Sequence, residues 1–164
     1  MSDGSNDSLG QKTSSLSHIE VLQRDDIRIS PEYQHEQAVA IYDILDQNLF
    51  ILLGHAGPYH LYLSTDMRHV HFDVRAEDGT RLNGFIMALG PLRRIMRDYF
   101  QICDTYYEAI RTKSPTQIQA IDMGRRAAHD EGATLLSQRL AGFLETDVMT
   151  ARRLFTLICV MTRR

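Results

Sequence analysis

The chain has no apolar run near the ~20 residues that a membrane helix requires. The longest candidate, Leu154 to Met161, is too short, and Arg152, Arg153, Arg163 and Arg164 flank it. A membrane-spanning helix is therefore not expected. The N-terminus, MSDGSNDSLGQKTSS, has neither a basic start nor an apolar core, so it does not read as a signal peptide. There are only two cysteines, Cys103 and Cys159, and no CxxC spacing. Both lie in apolar helical patterns, which suits buried thiols in a reducing cytoplasm. An excess of positive charge is also missing. The net charge of −3 argues against a dedicated nucleic-acid binder, although a local basic patch stays open. No GxSxG, HExxH, Walker or dinucleotide-binding signature occurs. No internal repeat or domain linker interrupts the chain.

What remains is ordinary globular material: 164 residues, 43% apolar and 24% charged, enough for one domain with a real core. Residues 1–17 are polar and rich in Ser, Gly, Asn and Asp, and they lack the apolar area to offset their ordering entropy. The expectation is a disordered tail over 1–17 and one domain over 18–164. His18 to Arg24 alternates weakly, Asp25-Asp26 reads as a turn, and Ile27 and Ile29 as a short strand. Ser30-Pro31-Glu32 starts a helix that runs to about Gln47. Ala38, Ile41, Tyr42 and Leu45 mark its expected buried face, and His35-Glu36 its solvated first turns. Leu49 to Leu53 is a compact strand, and Gly54 to Pro58 a loop.

From Tyr59 to Leu89 the pattern is an antiparallel meander. The Asp78-Gly79 turn pairs Val74 with Asn83, Phe72 with Phe85 and Val70 with Met87. A turn at Asp66-Met67 pairs Leu63 with Val70, Leu61 with Phe72 and Tyr59 with Val74. Both turns put Val70, Phe72 and Val74 on the core face. The opposite face then carries His60, Tyr62, His69, His71 and Asp73, with His60 across from Asp73. Those three imidazoles and the carboxylate are a weak candidate metal set. A polar outer sheet face is the favoured explanation, and no metal or cofactor is expected.

Pro91 to Gly132 reads as two helices joined by Thr112-Lys113-Ser114-Pro115, an αα-hairpin. Leu92, Met96, Tyr99, Cys103, Tyr106 and Ile110 form a seam at helical spacing. Gly132 either kinks or ends the second helix. Thr146 or Asp147 caps a last, greasy helix that should centre the helical layer. Antiparallel folding brings Arg94 and Arg97 to the level of Asp130 and Glu131, and Asp104 to that of Arg125 and Arg126. A ladder of ion pairs setting helix register explains most of these charges. The sharper explanation is a polar pocket. Arg125 and Arg126 diverge by about 100° around the helix, so one can pair while the other faces a carboxylate or phosphate. His129 is one turn on and can move a proton near neutral pH. Tyr106 and Tyr107 can line the pocket, with Arg97 and Asp122 beside them.

The segments RRIMRDYFQICDTYYEAIRTKSPTQIQAIDMGRRAAHDEG and TARRLFTLICV, with HEQAVAIYDILDQN and GPYHL, resemble the bacterial uncharacterised protein family UPF0262 over about residues 33 to 162. The resemblance implies a small bacterial cytoplasmic protein and assigns no activity, cofactor or partner.

The expected fold is a single α+β domain, an antiparallel β-meander packed against three to five helices including the αα-hairpin. Three functional readings follow. One is a non-enzymatic interaction or ligand-binding protein, with a protein or anionic small-molecule partner at the helical hairpin. The second is a small enzyme acting on an anionic, phosphorylated substrate through Arg125, Arg126 and His129. The third is RNA binding through Arg93, Arg94, Arg97, Arg163 and Arg164. A concave pocket holding Arg125 and His129 favours the second, a flat exposed arginine field favours the third, and arginines fully paired with Asp104, Asp122 and Asp130 favour the first with no pocket.

Overall fold

The computed structural model describes residues 13–22, 24–26 and 28–163. Among these residues six strands and four helices build one α+β domain. In chain order they are β1 (Leu16–Val21), α1 (Pro31–Asp46), β2 (Phe50–Leu52), β3 (Tyr59–Thr65), β4 (His69–Ala76), β5 (Arg81–Ala88), α2 (Arg93–Thr112), α3 (Pro115–Leu140), β6 (Leu144–Thr146) and α4 (Val148–Thr162). A 3-10 turn at Gly90–Leu92 leads into α2.

The main sheet has the order β1-β3-β4-β5. Its alternating residues Leu61, Leu63, Val70, Phe72, Val74, Phe85 and Met87 are buried against the helices. Burying a side chain the size of Phe72 contributes about 1.5–3 kcal/mol, so one face of the meander supplies much of the core. The β4–β5 register is the expected one: Val74 pairs with Asn83, Phe72 with Phe85 and Val70 with Met87. The β3–β4 register differs by two residues, with Leu63 opposite Phe72, Leu61 opposite Val74 and Thr65 opposite Val70. Asp66 Oδ1 accepts from the Arg68 and His69 amides, and Met67 takes a positive φ of 73°. The turn is therefore centred on Met67-Arg68. A shift of two preserves the pleat, so the same residues stay on the core face.

The edge strand β1 lies parallel to β3, so the sheet is mixed. It starts two residues before the expected domain start, and Leu16 is in the core at 2% exposure. Ile27 lies outside the described residues, and Ile29 is in no strand. A separate ribbon pairs β2 with β6.

Each helix start follows from its cap. The Ser30 side chain accepts from the Tyr33 amide, with Pro31 at the first helical position. Ser114 and Gln117 form a reciprocal capping box at α3. Asp147 caps α4 by accepting from the Thr150 amide. Helix α4 is the centre of the helical layer, with every residue from Leu154 to Thr162 buried. α3 does not break at Gly132. A Cβ there would overlap the Phe155 ring, so the missing side chain is what lets α3 lie on α4.

The buried face of α1 is not the expected one. Tyr33, Ala40 and Ile44 are buried, whereas Tyr42 is 71% and Leu45 41% exposed and Ala38 is exposed. The helix carries two apolar stripes, and the one with Tyr33 and Ile44 faces α4 and the sheet. In the α2 seam Met96, Tyr99 and Cys103 are buried, but Tyr106 is only half-buried and Ile110 is 51% exposed.

Candidate functional site

A cleft of about 360 Å³ opens where α1, α3 and α4 meet over Tyr99 of α2. Its cations are Arg125, Arg152 and Arg153, its acids Glu36 and Asp43, and its apolar lining Val39, Ala40 and Met149. His129, His35 and Thr156 complete it. The volume lies at the lower end for small-molecule sites.

The residues on α3 are placed by the α3–α4 contact. His129 Nε2 lies 2.8 Å from the Arg152 carbonyl oxygen and 2.8 Å from Thr156 Oγ1. A carbonyl only accepts, so Nε2 carries the proton and Nδ1 is left as the acceptor. The ring stacks on Tyr99 at 5.3 Å between centroids. Burial lowers the His129 pKa below its ordinary value, opposed by the Arg152 carbonyl. The imidazole is therefore neutral near pH 7.

Arg125 is held on three sides. Its Nε and Nη2 donate to Asp122 Oδ1 at 3.1 and 2.7 Å, and its guanidinium lies 4.5 Å above the Tyr106 ring. The remaining edge, Nη1, lies 4.0 Å from Glu36 Oε1. Those hydrogen bonds hold the Asp122 carboxyl below the usual carboxylate range. Arg126 also pairs with Asp122, at 3.1 Å, but its side chain is 70% exposed and lies outside the cleft lining.

Glu36 sits on the opposite wall with only 15% of its side chain exposed. Oε1 accepts from the Tyr107 hydroxyl and Oε2 from the Tyr99 hydroxyl at 3.4 Å. Burial pushes both tyrosine pKa values well above the ordinary range, so both hydroxyls keep their protons as donors. On α4, Arg153 Nη1 donates to the Asp43 and Gln47 carbonyls at 3.3 and 3.2 Å, satisfying the C-terminal end of α1. Arg152 Nε lies 3.0 Å from Asp130 Oδ1 without hydrogen-bond alignment.

The structure thus brings Arg125 and His129 into the cleft lining, with Asp122 and Tyr106 against Arg125 and Tyr107 against Glu36 just outside it. Arg97 is exposed and lies outside the cleft lining. The expected ladder between α2 and α3 does not form. Asp104 pairs with Arg163 at 3.0 Å and accepts from the Tyr33 hydroxyl, Asp130 pairs with Arg152, and Arg125 and Arg126 pair within α3. Arg94 and Arg97 make no ion pair among the described residues, and Asp130, at their expected level, pairs with Arg152 of α4 instead. Of the arginines of the RNA reading, Arg93, Arg94 and Arg97 are exposed together at the start of α2. Arg93 donates to the Met67 carbonyl, Arg163 lies over the Tyr33 and Phe100 rings, and Arg164 lies outside the described residues.

The outer sheet face does not assemble the four candidate metal ligands. The register change puts His60 opposite Arg75 rather than Asp73. His60 lies against the His18 ring in a tilted contact, Asp73 pairs with Arg75, and His69 and His71 both approach Asp66. Among the described residues no three His, Cys, Asp or Glu side chains are placed to hold a metal ion. A second hollow of about 510 Å³ lies beyond Tyr107, but there Glu32 pairs with Arg111 and Asp104 with Arg163.

Sequence reasoning missed Glu36, Tyr99, Asp43, Arg152 and Arg153 as members of one site. The usable signal for Glu36 was its place beside the Tyr33–Ala40–Ile44 stripe, three residues after Tyr33 and four before Ala40. Arg152 and Arg153 open the most apolar helix in the chain, where two adjacent cations must find the edge of the core.

A family model described as "Uncharacterised protein family (UPF0262)" matches residues 13–164. A UPF0262 protein of Rhodopseudomonas palustris strain BisA53 is 52% identical over 135 residues, spanning 82% of this chain and 83% of its own. One from Rhizobium leguminosarum bv. trifolii is 50% identical over 135 residues, with 82% and 86% covered. One from Bradyrhizobium sp. strain ORS 278 is 51% identical over 136 residues, with 82% and 81% covered. No solved structure matches.

Proposed function

The chain belongs to the UPF0262 family, and from its cleft geometry we propose that it is a small cytoplasmic, non-enzymatic protein that binds an anionic small molecule between α1, α3 and α4. The observation that carries this reading is the convergence of Arg125, Arg152 and Arg153 on one concave, partly apolar cleft. Guanidinium groups at a site shielded from bulk water bind carboxylate or phosphate through charge-assisted hydrogen bonds. The stacked rings of Tyr99 and His129 give that cleft an aromatic wall, and Tyr106 supports Arg125 from behind it. The α2–α3 helical hairpin contributes the Tyr, Arg and His part of the site, and α1 and α4 contribute the rest.

A second reading, a small enzyme acting on an anionic substrate, draws support from His129. This neutral imidazole shares the cleft with Arg125 and has an acceptor nitrogen with no hydrogen bond among the described residues. Binding is preferred because the lining offers no activated nucleophile. The Thr156 hydroxyl donates to the Arg152 carbonyl, and Cys103 and Cys159 are fully buried outside the lining.

The test is mass spectrometry of small molecules released on denaturing protein isolated from its own cell. An anionic compound should be released from wild type, and at least about tenfold less from the Arg152→Ala, Arg153→Ala double variant. That loss is equivalent to ~1.4 kcal/mol. Equal release from both, or release of nothing anionic, would refute the binding reading. Steady conversion of the released compound by added protein would favour the enzyme.

A further inference from the structure

The two charged walls of the cleft are unequally compensated, and the imbalance describes the ligand. On one wall Glu36 is nearly out of water, yet its partners are two neutral hydroxyls, those of Tyr99 and Tyr107. The nearest cation, Arg125, is 4.0 Å away at Nη1 and already gives Nε and Nη2 to Asp122. A carboxylate in that position lacks a close positive partner. On the other wall Arg153 has no carboxylate within ion-pair distance among the described residues. Its Nη1 donates to the backbone carbonyls of Asp43 and Gln47. Glu36 therefore has only a distant, shared cation, and Arg153 pairs with backbone carbonyls in place of a carboxylate.

We infer that the ligand is a small zwitterion whose ammonium group meets Glu36 and whose carboxylate or phosphate meets Arg153 with Arg152. This rests on the anion-binding reading above and narrows it. An ammonium offers three donors, which suits the acceptor capacity left on the two Glu36 oxygens. The anionic end approaches the free edge of a planar guanidinium. The apolar side chains of Val39, Ala40 and Met149 line the span between the walls, and they favour a ligand with a hydrocarbon link between its charges.

Calorimetric titration with matched probes separates this inference from the reading beneath it. The pairs are γ-aminobutyrate against butyrate, and aminoethyl phosphate against ethyl phosphate. In at least one pair the amine-bearing member should bind about tenfold or more tightly, and the pair that shows it identifies carboxylate or phosphate as the anion. Glu36→Gln should abolish the preference, leaving the two members of each pair within about twofold of one another. Equal affinity within both pairs overturns the zwitterion and leaves anion binding standing. A preference that survives Glu36→Gln overturns the assignment to Glu36. If none of the four probes binds, both readings fall. If Glu36→Gln does not fold, the wild-type comparison alone decides.

Discussion

His129 Nε2 lies 2.8 Å from the carbonyl oxygen of Arg152, so an imidazole on α3 is fastened to the backbone of α4 at the wall of the cleft. Its neutral form is the one the fold accepts, because burial lowers its pKa from the ordinary value of about 6.5. The native state then binds fewer protons at this site than the unfolded chain does. The sign follows. The stability contributed by neutral His129 is fully present above the ordinary value and is lost as pH falls below it, through the folded pKa. Urea denaturation at pH about 7.5 and about 5.5 should show a larger stability loss for wild type than for His129→Gln. At the higher pH the variant should be less stable by roughly 1–2 kcal/mol. Identical pH slopes would contradict the assignment.

Gly132 is the contact point of α3 with Phe155. A Cβ at this position overlaps a fully buried ring. Gly132→Ala should therefore destabilise the protein by about 1–3 kcal/mol, although alanine is the better helix former. Phe155→Leu in the same chain should recover part of that loss, as measured by the midpoint of urea unfolding.

Tyr107 and Glu36 form one hydrogen-bonded unit across α2 and α1. Tyr107→Phe leaves a nearly buried carboxylate short of a donor and should cost roughly 1.5–3 kcal/mol. In the Glu36→Gln background the same substitution should cost less, since the acceptor is no longer charged. A double-mutant cycle of thermal stability reads this coupling, and strict additivity would argue that the contact contributes little.

Cys103 and Cys159 are fully buried, and burial pushes the Cys103 thiol up to about 12 and the Cys159 thiol well above its ordinary value. Neither should react with a disulfide reagent in the native state near pH 8, and both should react once urea unfolds the chain. Rapid labelling of either native thiol would contradict the packing of α2 on α4.

Much of the fold was legible where local chemistry chooses among alternatives. Asp78-Gly79 selects one turn, and the β4–β5 register follows from it. At the preceding turn the positive φ falls on Met67, a residue that no turn preference singles out, and the Asp66 side chain recentres the loop. The expected register was therefore two residues off, with its faces intact. On α1 two apolar stripes share one helix, and periodicity cannot say which of them meets α4. The site was half legible for the same reason. Arg125, His129 and Asp122 announce themselves by spacing within α3, whereas Glu36, Asp43, Arg152 and Arg153 join them only through the docking of α1 and α4. The ladder expected between α2 and α3 failed because Asp104 and Asp130 find nearer cations on the fourth helix and its end.

The central claim, an anion site between α1, α3 and α4, is tested most directly by titrating isotope-labelled protein with inorganic phosphate and following its amide and arginine Nε resonances. The account predicts saturable shifts concentrated at Arg125, Arg152, Arg153 and the neighbouring amides of α1, and their loss in the Arg152→Ala, Arg153→Ala variant. Shifts that fail to saturate, or that scatter over the outer sheet face around His18, His60 and Arg75, would contradict it.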